Sequence, residues 1–88
     1  MSTAPKPLFL TQHAWDAVEE RELDMDWLER TARKPDWAVA DPRRPGVERR
    51  FRRIPEFGNR VLRAACYETT TEIRILTVFF DRKARPPS

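Results

Sequence analysis

The amino-acid sequence predicts an α+β fold in which two N-terminal helices pack on one face of a four-stranded antiparallel sheet. Residues 12–33 carry apolar side chains at helical spacing, divided by a polar turn. Residues 60–82, RVLRAACYETTTEIRILTVFFDR, contain two β-branched and aromatic runs around three threonines, a pattern typical of a long β-hairpin. Two more extended stretches, residues 36–41 and 47–54, give the element order ααββββ.

Capping residues set the predicted helix boundaries. Thr11 is a suitable N-cap for a first helix over residues 12–22. Asp24 is a suitable N-cap for a second helix over residues 25–33, because its side chain can accept from a free backbone N–H. Pro35 disfavours helical backbone at the residue before it and ends the second helix.

The threonine loop predicts which hairpin residues face the helices. If the loop is Thr69–Thr71, Arg63 lies opposite Thr77 in the middle of a face that the helices leave uncovered. The other face is nearly all apolar and needs the helices as a cover. The predicted common core of sheet and helices is Leu62, Leu76, Val78, Phe80 and Phe51 with Trp27, Leu28 and Val18.

The strand over residues 47–54 is crowded with arginine, so its register matters. A bulge at Gly58 that pairs Phe51 with Ala64 would place Phe51 under the helices. The competing register would bury two unpaired guanidinium groups there, which is costly. The sequence therefore predicts one cluster on the open face, formed by Arg50, Arg52 and Arg63.

Length and composition limit the classes of function. Eighty-eight residues make one domain, here residues 11–83 between an N-terminal tail (1–10) and a C-terminal tail (84–88). A single cysteine and a single histidine exclude an internal disulfide and the usual zinc spacings. No apolar run approaches a membrane span and no signal peptide is visible. We expect a cytoplasmic protein without metal, cofactor or membrane partner.

Charge is distributed unevenly along the chain. Residues 1–42 hold five basic and nine acidic side chains, a net −4, whereas residues 43–88 hold twelve basic and five acidic, a net +7. Arginine accounts for fourteen of the seventeen basic residues, and its planar fork suits phosphate and carboxylate. The pattern indicates either a well-solvated surface or a sheet that attracts a polyanion or an acidic protein.

Four short segments of the sequence resemble a known protein family. The segments QHAWDAVEEREL, KPDW, RRFRRIPEFGNRVLRAACYE and IRILTVFFDRK resemble the bacterial domain-of-unknown-function family number four-two-five-eight. That family is similar to the BrnT and RelE/ParE toxins of type II toxin–antitoxin systems, which place N-terminal helices on an antiparallel sheet. The family's recurrent positions fall on His13, Arg21, Arg63, Thr77 and Asp81.

The chain also departs from this family at two positions. Members often have an arginine where this sequence has Ala17 and a glycine where it has Glu22. If the arginine is catalytic in other members, its replacement argues against nuclease activity here. The resemblance thus implies a toxin-like fold more strongly than toxin activity.

Each candidate site residue has a functional and a structural interpretation. RNA cleavage without metal needs an acid or base and cations for the phosphorane, and the candidates are His13 and Arg63. RNA binding is predicted for Arg50, Arg52, Arg63 and Tyr67. Alternatively, His13 locks a helix to the sheet, Arg63 pairs with a carboxylate such as Glu48, and Tyr67 packs on Ile73.

Two functions of different classes follow. The first is a toxin-like RNA-binding domain or metal-independent ribonuclease that uses the arginine-rich face. The second is a non-catalytic module whose open face binds an acidic partner, such as an antitoxin, or a second copy in a homodimer. The apolar residues around Arg63 favour the second, because exposed apolar patches mark interfaces.

Overall fold

The computed structural model describes residues 5–87, which form two helices and a five-stranded mixed sheet. The elements in chain order are β1 (Leu8–Leu10), α1 (Gln12–Glu20), α2 (Met25–Arg33), β2 (Trp37–Ala40), β3 (Val47–Ile54), a short 3-10 helix (Pro55–Phe57), β4 (Arg60–Glu68) and β5 (Ile73–Phe80). The strands lie in the order β1-β5-β4-β3-β2. All neighbours are antiparallel except β1 and β5, which are parallel.

Strand β1 corrects the predicted four-stranded antiparallel sheet. Residues 8–10 were expected in a tail, but they pair with residues 73–75 of β5. Backbone bonds secure both ends, from the Ile73 N–H to the Pro7 carbonyl (3.0 Å) and from the Thr11 N–H to the Ile75 carbonyl (3.1 Å). A three-residue strand is too short to show a periodic pattern, so the sequence did not indicate it.

Both helices begin at the predicted caps. The Thr11 hydroxyl accepts from the Ala14 N–H (3.2 Å), and the Asp24 carboxylate accepts from the Asp26 N–H (2.8 Å). The first helix ends two residues earlier than predicted, because Glu22 has φ +50°. That left-handed conformation favours glycine, which has no Cβ to clash with the backbone.

Replacing Glu22 by glycine should therefore stabilise the fold. We expect Glu22→Gly to raise the free energy of unfolding by about 0.5–1 kcal/mol, because it removes the steric cost of a left-handed residue. The matched change Glu19→Gly, in the helix itself, should lower it by about 0.5–1 kcal/mol. Urea denaturation of both variants shows whether each change raises or lowers the free energy of unfolding. A loss of stability in both would contradict a steric cost at Glu22.

One hydrophobic core lies between the sheet and the two helices, as predicted. It contains Leu10, Ala14, Val18, Leu23, Leu28, Ala32, Ile54, Leu62, Ala64, Cys66, Ile73, Ile75 and Val78, with Trp27 and Phe80 packed against it. We call this side of the sheet the helix-covered face and the opposite side the open face. Within residues 5–87, no helix is both long and apolar enough to cross a membrane.

A bulge in the β4–β5 hairpin changes the predicted register. Cys66 pairs with Ile75 and Ala65 pairs with Thr77, so Leu76 has no partner in β4. Ile75 is fully buried in the core, and Leu76 is only partly buried. The prediction that Leu76 is a core residue was wrong, because the extra residue reverses the side-chain alternation on its loop side.

The connection from β3 to β4 also differs from the prediction. Gly58 adopts φ +66° after the 3-10 helix and forms part of the turn. The strands then pair without a bulge, with Phe51 opposite Arg63 and Arg50 opposite Ala64. Phe51 consequently lies on the open face, and the predicted arrangement of Phe51 in the helix-covered core was wrong.

Candidate nucleic-acid interface

The open face carries two lateral rows of arginine and aromatic side chains. Successive residues of a strand point to opposite faces, so the residues next to the core residues lie on the open face. The pairings align one row as Phe9, Arg74, Tyr67 and Val47, which we call the first row. They align the second row as Phe79, Arg63, Phe51 and Trp37.

Stacking contacts fix the second row. The Trp37 and Phe51 rings are stacked, with centroids 5.1 Å apart and an angle of 8° between their planes. The Arg63 guanidinium lies 5.8 Å from the Phe51 ring and 5.0 Å from the Phe79 ring. Arg53 extends the row at 5.7 Å from the Trp37 ring. The guanidinium groups are thus held in place by cation–π attraction.

Arg63 also forms an ion pair, but not with the carboxylate predicted for it. Its Nη1 donates to Asp81 Oδ2 at 3.1 Å. Glu48 lies on the helix-covered face, where it pairs with Arg50 instead. The alternative interpretation, a salt bridge from Arg63, is therefore right in kind and wrong in partner. The Arg63 side chain remains 23% exposed.

The first row is more open to solvent. Phe9 is 51% and Tyr67 42% exposed, and the Arg74 guanidinium lies 5.3 Å from the Phe9 ring. Tyr67 does not pack on Ile73, which is buried on the helix-covered face. Its ring instead lies over Gly46, where an added Cβ would come within 3.0 Å of Tyr67 Cε2.

Small side chains on β4 and β5, and Arg49 on β3, lie between the two rows. Ala65 and Thr77 pair with each other between the rows. Along β4 the rows are four residues apart, from Tyr67 to Arg63, or about 13 Å at the usual strand rise. The open face therefore combines aromatic rings with positive charge in two rows, with smaller side chains between them on β4 and β5.

Arg50 and Arg52 lie on the other side of the sheet, so the predicted cluster with Arg63 does not form. Arg50 donates to the Ala32 carbonyl (2.6 Å) and pairs with Glu48 and Glu68, each at 2.8 Å. Arg52 donates to the carbonyl of Lys34, the C-cap residue of α2. These carbonyls carry the negative end of the helix dipole, so each guanidinium group has an acceptor there, although the buried Arg52 Nε has none within residues 5–87.

His13 lies in a different hollow. The cavity, of about 360 Å³, is formed by α1 and the part of β5 beyond the end of β1, and Arg21 and Thr77 also line it. Ala17 lines the same hollow. Phe79, whose ring contacts Arg63 on the open face, lines this hollow as well. Within residues 5–87, no hydrogen bond joins His13 to Arg63. The two predicted catalytic residues are thus not joined by a hydrogen bond, and their catalytic roles stay a prediction.

Two side chains in or beside the sheet, Asp41 and Cys66, have shifted pKa values. Backbone and side-chain hydrogen bonds from Arg43 and Arg44 lower the pKa of Asp41 to about 2. Asp41 therefore stays ionised beside Arg49, whose Nε lies 3.5 Å from it on the open face. Burial raises the pKa of the Cys66 thiol to about 12, so this cysteine is a packing residue and not a nucleophile.

Comparison with protein-family models, with curated proteins and with solved structures finds no match to this chain. Function is therefore inferred from the chemistry of the side chains. In the part of the chain from residue 5 to residue 87, no three histidine, cysteine or acidic side chains are grouped as metal ligands. The concentrated feature of the open face is its pairing of guanidinium groups with aromatic rings.

Proposed function

We propose that this domain binds single-stranded RNA through the open face. The observation that supports this is the second row, where Arg53, Trp37, Phe51, Arg63 and Phe79 follow one another in stacking contact. Phe51 is buried in this row, so the partly exposed Trp37 and Phe79 are the rings that a base can reach. Sheet surfaces that bind single strands combine aromatic rings, on which bases stack, with cations that follow the phosphates. The first row offers a second stacking position about 13 Å away.

Binding is better supported than cleavage. A ribonuclease needs its acid or base within hydrogen-bond reach of the sugar that the cations position. His13, on α1, lines a hollow that reaches Phe79 of the second row, but among residues 5–87 it makes no hydrogen bond to Arg63, which donates to Asp81 instead. We therefore propose an RNA-binding role for this domain, with duplex RNA a poor ligand because its paired bases cannot stack on the rings.

An acidic polypeptide is the second candidate ligand for the open face. Phe9 and Tyr67 are both about half exposed beside Arg74, and such mixed apolar and cationic patches suit a protein partner. We propose that an antitoxin-like acidic segment would compete with RNA for these residues. A second copy of the chain would compete in the same way.

Arg53→Ala should weaken RNA binding, because its guanidinium is exposed on the open face and has no carboxylate partner among residues 5–87. With a single-stranded oligonucleotide, the slope of log affinity against log salt should fall by about 0.7 for one lost phosphate contact. Fluorescence titration of the tryptophans at several salt concentrations measures both affinity and slope.

The matched control is Arg85→Ala, which removes one exposed charge from the C-terminal segment. Affinity and salt slope should stay close to those of the unchanged protein. Equal affinity for single-stranded and duplex RNA, or equal effects of the two variants, would favour general attraction to a basic protein over the proposed interface. Binding of an acidic peptide but not of RNA would favour the protein-partner function.

A further inference from the structure

A second hollow, of about 330 Å³, lies at the end of the sheet on the helix-covered side. The turn between α1 and α2 borders it, as do the ends of β4 and β5. Its lining combines three arginines with three aromatic rings: Arg21, Arg60, Arg82, Trp27, Phe57 and Phe80.

The three rings form one cluster. The Phe57 centroid lies 5.0 Å from that of Trp27 and 5.0 Å from that of Phe80, and Trp27 and Phe80 are 5.9 Å apart. Phe57 is 40% exposed. The cluster thus gives the hollow an accessible, rigid aromatic wall, suited to a flat ligand that can stack.

The three arginines give the hollow a positive field. Arg60 lies 4.9 Å from the Phe57 ring. Among residues 5–87, no carboxylate forms an ion pair with Arg21, Arg60 or Arg82, although Arg30 on α2 pairs with two. Glu22 is the one acidic residue in the lining. Convergent guanidinium groups in a hollow attract an anion and suit the geometry of phosphate.

We propose that this hollow binds a nucleoside monophosphate, with the base stacked on the aromatic cluster and the phosphate held by Arg60 and Arg82. Its volume is within the range of small-molecule sites. The same chemistry would be presented by a free nucleotide or by the phosphorylated end of an RNA. The inference does not depend on RNA binding by the open face, because the two sites lie on opposite sides of the sheet.

Nuclear magnetic resonance of the tryptophan indole N–H groups tests the proposal, with adenosine 5′-monophosphate as the probe. The Trp27 signal should shift, whereas those of Trp37 on the open face and of exposed Trp15 should not. Adenosine and inorganic phosphate should each bind at least about tenfold more weakly, since each lacks one half of the contacts. Phosphate binding as tightly as the nucleotide would overturn the proposal.

Charge variants locate the phosphate. Arg60→Ala and Arg82→Ala should each weaken adenosine monophosphate binding about tenfold, as for one lost charge-assisted hydrogen bond. Glu22→Gln should strengthen it, and Arg85→Ala, in the C-terminal segment, should leave it unchanged. Both arginines are exposed, and thermal unfolding verifies that the variants are folded. Unchanged affinity in folded Arg60→Ala and Arg82→Ala proteins would rule out this site.

RNA oligonucleotides distinguish the two sources of the ligand. If an oligonucleotide with a 5′-phosphate shifts the Trp27 signal and its 5′-hydroxyl counterpart does not, the hollow receives an RNA end. If only the free nucleotide shifts Trp27, the ligand is a small molecule. Loss of RNA binding at Trp37 with retained nucleotide binding at Trp27 would reject the open-face function alone. If no probe shifts the Trp27 signal, nucleotide binding in the hollow is rejected, and the open-face function is not affected.

Discussion

Ile75→Ala should lower the free energy of unfolding by about 2–5 kcal/mol, the cost of truncating a fully buried aliphatic side chain. Ile75 is fully buried in the core between the helices and the sheet. The neighbouring change Leu76→Ala should cost clearly less, because Leu76 lies in the β4–β5 bulge and is only partly buried. Urea denaturation of the two variants measures the difference.

This pair of variants tests the register directly. Without the bulge, side-chain alternation would place Leu76 in the core with Val78, and Leu76→Ala would be the more costly change. Equal losses from the two variants would also contradict the observed pairing. Val78, which is buried in either register, provides a reference: Val78→Ala should be destabilising whichever pairing is right.

The sequence predicted the elements whose positions are set by residues nearby in the chain. Thr11 and Asp24 mark both helix starts, since a cap acts on backbone groups two or three residues away. The bulge at Leu76 has no such signal, because an unpaired residue is defined by its neighbouring strand. Strand β1 depends in the same way on β5, which lies more than sixty residues along the chain.

The candidate site was predicted in part. Arg63 and Tyr67 lie on the open face as expected, because their positions follow from simple alternation along β4. The stacking of Trp37 on Phe51 was not foreseen. It requires the pairing of β2 with β3, which was assigned no register from the sequence.

Arg50 and Arg52 show why a correct energetic rule led to a wrong prediction. Burial of an unpaired guanidinium is costly, and no residue pattern indicated that acceptors would be available under the helices. The carbonyls of Ala32 and Lys34, at the end of α2, supply them. Arginine can therefore occupy a helix-covered position when a helix C-terminus ends above it.

Arg50→Ala should destabilise the fold but leave RNA affinity unchanged. The Arg50 side chain is only 13% exposed and joins the Ala32 carbonyl to Glu48 and Glu68. Its removal leaves two neighbouring carboxylates without their shared cation, so we expect a loss of about 1–3 kcal/mol in the free energy of unfolding. RNA affinity should persist because the side chain lies on the helix-covered face, away from the aromatic rows.

Arg63→Ala should, in contrast, affect RNA binding more than stability. It removes the cation between Phe51 and Phe79, so affinity for single-stranded RNA should fall and the salt slope should decrease by about 0.7. Both variants are compared at a temperature where circular dichroism shows each to be folded. If Arg50→Ala weakened RNA binding as much as Arg63→Ala, the RNA would have to contact the helix-covered side. The open face would then no longer be the interface, whatever the stability of the two proteins.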